Sequence, residues 1–366
     1  MAEALKEQYS PSFIDRLGTT IAAVTPTFDV ATFRDACLTP DWPTLKLMAR
    51  SDRIAAAMHA QLPADFQTAA PILRAIGPQF TGLVAVCLPN YVAKYGTDDW
   101  EDAMQTLAVL TQYSSAEFAI RPFILRYPEQ TAAQMLTWSQ SSSVDVRRLA
   151  SEGMRPRLPW GIRLQPYVVD PTPIWPILNR LITDDAEYVQ KSVANNLNDI
   201  SKDHPDDVIA FAQAHWGQGP RTNWVLTRGL RTLFKQGNPT VLTLLGYDPA
   251  AAQRVRAVRL VGDTATVALG ETLTLDYQLS NADSETLPLY LGYRVHYVRQ
   301  NKTDAFKDFF LKRLQLKAGA DFSGRFKVKW QPLTTRKLYP GTHTVDLLVN
   351  TTVVASVPVE LKPTKN

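Results

Sequence analysis

The fold of the helical part is best predicted from the stretch VQKSVANNLNDI, at residues 189–200. Its apolar residues recur at intervals of four and three, which places them on one stripe of an α-helix: Val189, Val193, Leu197 and Ile200. A polar stripe turned away from them consists of Lys191, Asn195, Asn198 and Lys202. This pattern is typical of an amphipathic helix that packs one face against its neighbours.

The same pattern recurs along the first two thirds of the chain. A similar segment at residues 146–153 begins about 43 residues earlier, and another at 226–233 begins about 37 residues later. A further unit is predicted over residues 100–127, where two serines at 114 and 115 separate two helices. Irregular repeats of about 40 residues, each a helical hairpin, indicate a HEAT-like solenoid.

The pattern changes after Pro249. From Val255 onward, apolar and polar residues alternate in short runs, at 265–269, 272–277, 293–297, 325–330, 343–349 and 353–361. About seven strands in about 110 residues favour a β-sandwich of the immunoglobulin type. We therefore predict a mostly α-helical chain in which residues 1–248 form the HEAT-like repeat domain and residues 255–366 form the immunoglobulin-like domain.

Composition excludes several classes of protein. Residues 1–10 lack the apolar core of a signal peptide, and no apolar run approaches the length of a membrane span, so neither is expected. Cys37 and Cys87 lie among apolar neighbours, which predicts buried, reduced thiols and a cytoplasmic protein. The five histidines have no ligand spacing, and the common nucleotide-binding and hydrolase motifs are missing. We expect no metal and no other cofactor.

The charge is unevenly distributed. Residues 251–366 contain 17 Lys+Arg and 10 Asp+Glu, a net charge of +7. The preceding 250 residues contain 22 basic and 25 acidic residues, a net charge of −3. The helical domain can therefore bind a nucleic acid only where its basic residues gather on one face.

Five arginines fall within residues 147–163: Arg147, Arg148, Arg155, Arg157 and Arg163. The bias predicts a surface for an anionic partner such as phosphate, with an ordinary Arg-rich surface helix as the alternative. The one acid in this run is Glu152, directly before the expected helix stop at Gly153. A carboxylate is unfavourable at the negative end of a helix. Glu152 is therefore a functional candidate, unless Arg148 or Arg155 simply neutralises it.

Two more residues have open interpretations. Glu117 follows Ser114 at the spacing of a capping box, so a purely structural cap is one interpretation and a functional carboxylate the other. Trp160 lies between Pro159 and Gly161 and belongs to no apolar stripe. Its ring could stack on a base or a sugar, or pack against a neighbouring helix.

Two helix faces are predicted to contact a DNA backbone. The first carries amides, ammonium groups and one carboxylate: Lys191, Asn195, Asn198, Asp199 and Lys202. The second carries basic residues that spacings of three and four would align on one side of a helix: Arg228, Arg231 and Lys235. Each face could instead be an ordinary solvated surface.

At these segments the chain resembles the AlkC-type DNA glycosylases of the HEAT-like repeat superfamily, which are related to the AlkD type. The resemblance rests on SSAEFAIRP at 114–122, RRLASEGMRPRLPW at 147–160, SVANNLNDISK at 192–202 and RTLFK at 231–235. It covers roughly the whole helical domain, and some AlkC-type members also carry a C-terminal immunoglobulin-like domain.

The resemblance implies that the chain hydrolyses the N-glycosidic bond of cationic alkylated bases such as 3-methyladenine in double-stranded DNA, without base flipping. It implies that Glu117 and Glu152 approach the lesion and that no cofactor takes part. No lysine nucleophile is evident beside them, which favours a monofunctional enzyme. We expect a monomer without an obligate protein partner, associated with the bacterial nucleoid when bound to DNA. A non-catalytic DNA- or protein-binding scaffold is the alternative.

The sandwich is predicted to hold DNA rather than to perform chemistry. Several of its basic residues alternate with apolar ones: Lys312, Arg313, Lys317, Arg325, Lys327 and Lys329. In a strand such alternation would project the cationic ends from one face of a sheet or from its loops. A basic face that serves only solubility is the alternative.

Overall fold

The computed structural model describes residues 5–299, 305–332 and 337–363. The chain forms two compact units, one of residues Met1–Val208 and His215–Gly229, the other of Ile209–Ala214 and Leu230–Asn366. This division differs from the boundary predicted at residue 248, because the short helices that follow residue 230 group with the strands rather than with the repeats.

Helices make up the first unit, with part of the thirteenth helix assigned to the second unit. In chain order they are α1 Pro11–Val24, α2 Val30–Cys37, α3 Leu47–His59, α4 Phe66–Ile76, α5 Cys87–Tyr95, α6 Trp100–Leu110, α7 Arg121–Arg126, α8 Pro128–Trp138, α9 Val144–Glu152, α10 Gln165–Val169, α11 Trp175–Leu181, α12 Glu187–Ile200, α13 Pro205–His215 and α14 Pro220–Gly229.

Several of these helices begin where the sequence offers a capping side chain. Ser10 accepts a hydrogen bond from the amide of Phe13 at 3.2 Å, and Asp29 and Asp65 cap α2 and α4 in the same way. Such caps satisfy amide groups that have no partner within the helix. Local sequence therefore determines where these helices start.

The three segments predicted as repeats lie side by side. Helix α9 packs on α12, and α12 packs on α14. Val193 and Leu197 are buried as predicted, and Gly229 allows close approach, because a Cβ there would lie 3.0 Å from the Cβ of Leu197. The buried amide of Asn196 donates to the carbonyl of Ser151 at 2.8 Å and so ties α12 to α9. The prediction of a helical-repeat architecture is confirmed.

The second unit contains three short helices and eight strands among its described residues. They are α15 Arg231–Lys235, α16 Pro239–Leu244, α17 Ala251–Arg254, β1 Val255–Gly262, β2 Thr266–Ala268, β3 Thr272–Asn281, β4 Leu287–Tyr297, β5 Ala305–Leu316, β6 Asp321–Lys329, β7 Gly341–Val349 and β8 Thr352–Lys362.

The strands form two sheets, in the orders β1-β3-β6 and β2-β8-β7-β4-β5. Neighbouring strands are antiparallel, except that β2 and β8 are parallel. The apolar core of the sandwich includes the fully buried Trp330, whose ring contacts those of Tyr297 and His343. The predicted immunoglobulin-like sandwich is confirmed. The runs predicted from alternation omitted β1 and β5. In β5 the run Phe309-Phe310-Leu311 breaks the alternation, and the pairing with β4 is irregular there.

The basic residues of the sandwich do not share one sheet face, so that part of the prediction is wrong. Lys312 and Arg313 lie on β5, at the edge of the five-stranded sheet, and Lys327 and Lys329 lie on β6, in the three-stranded sheet. Lys317 lies in the turn that joins these two strands. All five are exposed, so their charges remain accessible to solvent.

Both cysteines are free and buried, as predicted. Burial raises the pKa of the Cys37 thiol to about 12, so this side chain stays a neutral thiol at physiological pH. Within the described ranges, no helix combines the length and the apolar character needed to cross a bilayer.

Candidate functional site

A cleft of about 510 Å³ opens on the first unit, beside the C-terminal end of α9. Its walls come from five segments: residues 82–86, the turn before α7, helix α9, the loop after α9, and the start of α12. The polar and aromatic side chains that line it include Glu117, Asp145, Arg148, Glu152, Arg155, Trp160 and Tyr188. Both predicted catalytic carboxylates are thus brought to one cleft from positions 35 residues apart.

Glu117 lies in the turn that precedes α7. Its Oε2 accepts a hydrogen bond from the Ser115 hydroxyl at 2.7 Å, and it also pairs with the guanidinium group of Arg148. The Ser114 hydroxyl donates instead to the carbonyl of Gly82 at 2.9 Å. The capping-box interpretation of Glu117 is therefore wrong, and its carboxylate belongs to the cleft.

Glu152 is the last residue of α9, as predicted from Gly153. Its side chain is buried, and its Oε1 lies 2.6 Å from Nη1 of Arg155 and 3.5 Å from Nη2 of Arg148. Both arginines considered as neutralising partners do contact it. Two cations thus offset the unfavourable position of a carboxylate at the negative end of a helix.

The ion pairs continue beyond Glu152. Nε of Arg155 lies 2.8 Å from Oδ2 of Asp199, whose Oδ1 lies 2.9 Å from Nζ of Lys202. Alternating charges therefore form a series that we call the charge chain: Glu117, Arg148, Glu152, Arg155, Asp199 and Lys202. Buried ions are costly unless they are paired, so each member fixes the position of the next.

Two of the remaining three arginines of the cluster, Arg147 and Arg157, are paired as well. Nε of Arg147 lies 2.6 Å from Oδ2 of Asp184, and Nη2 of Arg157 lies 2.6 Å from Oδ1 of Asp203. The hydrogen bond from Arg157 lowers the pKa of the Asp203 carboxyl. The positive bias that the sequence suggests is therefore largely balanced by carboxylates from other segments. Direct phosphate contacts by these arginines stay a prediction.

The polar stripe of α12 is less exposed than predicted. Asn198 is 4% exposed and Asp199 is 2% exposed, so placing them on a solvent-facing stripe was wrong. Asp199 is buried because it turns toward the loop after α9, where Arg155 contacts it. Lys191 and Lys202 are exposed, and Asn195 is half-buried. The role of this stripe in DNA binding stays a prediction.

The second predicted face does not exist as a single helical surface. Arg228 lies in α14, which ends at Gly229, whereas Arg231 and Lys235 lie in α15 of the other unit. The break at Leu230, a buried residue outside both helices, interrupts the spacing of three and four. The predicted alignment of these three residues is wrong. Their individual contacts with DNA stay a prediction.

Trp160 forms one edge of the cleft and is 65% exposed. The interpretation that it packs against a neighbouring helix is therefore wrong. Its φ of 65° lies in the left-handed region, which a bulky residue adopts only at a cost in free energy. A large aromatic ring held in a strained conformation beside two carboxylates is suited to contact a ligand.

Two residues of the site were missed in the sequence. Tyr188 lines the cleft, and the guanidinium carbon of Arg148 lies 4.8 Å from the centre of its ring. Arg121 is fully buried next to the loop after α9 and donates to the carbonyls of Gly153 and Arg155. Tyr188 belongs to no local motif, and Arg121 lies within the run SSAEFAIRP but was not singled out as a site residue. Their signal lies in the repeat period, which brings residues about 35 to 45 positions apart into contact.

The arrangement favours stabilisation of positive charge. Guanidinium groups only donate hydrogen bonds, so the carboxylate oxygens that face them act as acceptors. Glu117 and Glu152 can therefore present negative charge to a cationic centre in the cleft. No cluster of three histidine, cysteine, aspartate or glutamate side chains suited to a metal ion occurs in the described part of the chain.

Comparison with known proteins identifies the family of this chain. Residues 98–228 match the family model of DNA alkylation repair enzymes, and residues 256–363 match the C-terminal immunoglobulin-like domain of an uncharacterised protein, YhaZ. The chain is 37% identical to Bacillus subtilis YhaZ over 94% of its length and 96% of that protein. It is 38% identical to Pseudomonas fluorescens alkylpurine DNA glycosylase AlkC, solved bound to DNA containing an abasic site analog, with a TM-score of 0.92 over 98% of this chain and 99% of that one.

The chain belongs to the AlkC family of DNA alkylation repair enzymes. Membership confirms the predicted family, the mostly helical fold with an immunoglobulin-like domain, and the class of enzyme. The matched region of the repair family contains Glu117, Glu152 and the whole charge chain. Most of the residues that line the cleft therefore lie within the region matched by the repair family.

Proposed function

We propose that this chain hydrolyses the N-glycosidic bond of cationic alkylated bases, of the 3-methyladenine type, in double-stranded DNA. The observation that carries the proposal is the pair Glu117 and Glu152, which meet at one cleft and contact the same guanidinium group, that of Arg148. Support also comes from the solved relative, an alkylpurine DNA glycosylase bound to DNA containing an abasic site analog.

The chemistry needs little more than a negative charge and a water molecule. Alkylation at N3 makes the base a cation and a good leaving group, so the bond to the sugar is already labile. As that bond breaks, positive charge develops on the sugar, and a carboxylate nearby stabilises it. We assign this role to Glu117 and Glu152, with one carboxylate facing the sugar and the other positioning the water.

Lesion preference should follow the charge of the base. A neutral lesion such as uracil or hypoxanthine needs a proton on its leaving group, and therefore a general acid. Glu117 and Glu152 face guanidinium donors, which cannot accept a hydrogen bond and cannot relay a proton from either carboxylate. The proposed enzyme therefore acts on cationic lesions and leaves neutral ones in place.

A base-release assay tests the proposal. Methylated duplex DNA is incubated with the protein under single-turnover conditions, and the free bases are separated by chromatography. We expect release of 3-methyladenine and no measurable release of uracil or hypoxanthine from matched duplexes. Binding without release would support the scaffold alternative, and efficient release of uracil would contradict the proposed mechanism.

We further propose that the enzyme is a monofunctional monomer that acts in the cytoplasm without flipping the base. Cleavage of the strand at the resulting abasic site should then require alkali, because no lysine lines the cleft among the described residues. Fluorescence of 2-aminopurine beside the lesion tests base flipping. An unstacked base would brighten the signal on binding, whereas the proposed mechanism leaves it low.

A further inference from the structure

The two carboxylates of the cleft lie on different segments, and one buried arginine connects those segments. Arg121 is the first residue of α7, four residues after Glu117. Its Nη1 donates to the carbonyls of Gly153 and Arg155, each at 3.0 Å, directly after Glu152. Arg121 thus links the turn that carries Glu117 to the backbone that follows Glu152.

The same guanidinium group also holds the far end of the loop after α9. Nε of Arg121 donates to the carbonyl of Ile162. Residues 153–162, which we call the Trp160 loop, are therefore fixed at both ends by one side chain. A Cβ on Gly161 would lie 3.4 Å from Cδ of Arg121, so the arginine stem packs directly beneath the strained Trp160 turn.

We propose that Arg121 is a positioning residue that sets the spacing of Glu117, Glu152 and Trp160 in the glycosylase site. The inference rests on the proposed function. A fully buried cation normally needs a carboxylate partner, whereas all three hydrogen bonds of Arg121 given above go to backbone carbonyls. The guanidinium group of arginine is planar and carries three nitrogens, so it can donate to carbonyls in several directions at once. The ammonium group of lysine has a single nitrogen and cannot reach the same set of carbonyls.

Arg50 offers a matched control. It is also a buried arginine of the first unit, its Nη1 also donates to a backbone carbonyl, that of Lys6 at 2.8 Å, and it does not line the cleft. Both Arg121→Lys and Arg50→Lys should lower the thermal midpoint, because each disturbs a buried hydrogen-bonded cation. Only Arg121→Lys should slow single-turnover release of 3-methyladenine strongly, by about 10- to 100-fold, as expected for a misplaced catalytic group. Arg50→Lys should stay within about twofold of the wild-type rate.

Coupling to Trp160 distinguishes positioning from a general loss of structure. If Arg121 acts through the Trp160 loop, Trp160→Ala should slow the Arg121→Lys enzyme by less than it slows the wild type. In the Arg50→Lys background, Trp160→Ala should slow release by the same factor as in the wild type, so that the effects of the two substitutions multiply. Gly161→Ala provides a second variant, because the added Cβ would lie 3.0 Å from Cδ2 of Leu158 and 3.4 Å from Cδ of Arg121. It would crowd the Trp160 loop without removing the charge of Arg121, and it should slow release in the same direction.

The pH profile gives an independent readout. Burial and the nearby Arg155 lower the pKa of Arg121 to about 10. This value is well above neutral pH, so the arginine remains charged there. A lysine at this position starts from a lower pKa and should lose its proton between about pH 6 and 9. Release by Arg121→Lys should therefore fall as the pH rises through this range, relative to the wild type.

The outcomes separate the two proposals. If the wild type releases 3-methyladenine but Arg121→Lys behaves like Arg50→Lys, or its effect multiplies with that of Trp160→Ala, the positioning role is overturned and the proposed function stands. A wild-type protein that releases no alkylated base overturns the proposed function and this inference with it.

Discussion

The helical unit and the sandwich use charged residues in opposite ways. In the helical unit, Arg155 is buried and Arg148 is half-buried, and each lies between two carboxylates. In the sandwich, Lys327 and Lys329 stand exposed on the outer side of β6, where they alternate with buried apolar residues. Net charge alone would favour the sandwich as the site of action, because it is −3 before residue 251 and +7 from residue 251 onward.

This difference shows that burial, rather than the count of charges, locates the chemistry. Paired buried charges are rigid and poorly screened, so they can fix a geometry for catalysis. Exposed charges are screened by salt and contribute little to stability, but they attract a polyanion over a broad surface. The first arrangement suits a reaction site, and the second suits a surface that holds DNA.

The largest expected effect comes from breaking the charge chain at its centre. Arg155→Met should lower the free energy of unfolding by about 3–5 kcal/mol, because Glu152 and Asp199 would lose their shared buried partner. Arg325→Met, which breaks the exposed pair with Asp276, should leave the denaturation midpoint unchanged. Equal shifts in urea denaturation would contradict the contrast between the two regions.

The next effect concerns catalysis. Glu117→Gln and Glu152→Gln should each slow single-turnover release of 3-methyladenine, by about 10²- to 10³-fold for the carboxylate that faces the sugar. Neither change removes a cationic contact, so DNA affinity should remain nearly intact. Asp41→Asn, which alters an exposed pair with Arg53 outside the cleft, serves as the control. Wild-type rates in both glutamine variants would show that these carboxylates are not catalytic.

A smaller effect is expected in the sandwich. Truncation near residue 250 would split the unit that begins at residue 230, so charge variants of the full chain are the sharper test. Lys327→Gln and Lys329→Gln should each weaken DNA binding and flatten the slope of log affinity against log salt concentration by about 0.9 per lost phosphate contact. Unchanged slopes would mean that this face does not touch DNA. Release rates at saturating enzyme serve as the control.

The smallest effect lies on the exposed part of α12. Lys191 pairs with Glu187 at 2.7 Å, an exposed pair one helical turn apart. Lys191→Gln should leave the thermal midpoint almost unchanged, since such pairs add little to stability. If Lys191 contacts a phosphate as predicted, affinity should fall equally for damaged and undamaged duplexes. A selective loss for damaged DNA would place Lys191 nearer the lesion than we infer.

Much of this molecule could be predicted from local patterns. The period of the apolar residues predicted the helices, and alternation predicted the sandwich. The burial of Asp199 could not be predicted in this way, because its partner Arg155 lies more than 40 positions away. Arg121 and Tyr188 were missed for the same reason, since their partners come from other repeats.

The strained backbone at Trp160 matters for the engineering of a more thermostable variant of this enzyme. Glycine tolerates a φ of 65° without penalty, whereas tryptophan at this position costs on the order of 1–3 kcal/mol. A screen that selects variants by heat resistance alone would therefore tend to replace the very ring that borders the cleft. Libraries for thermal improvement should leave this codon untouched.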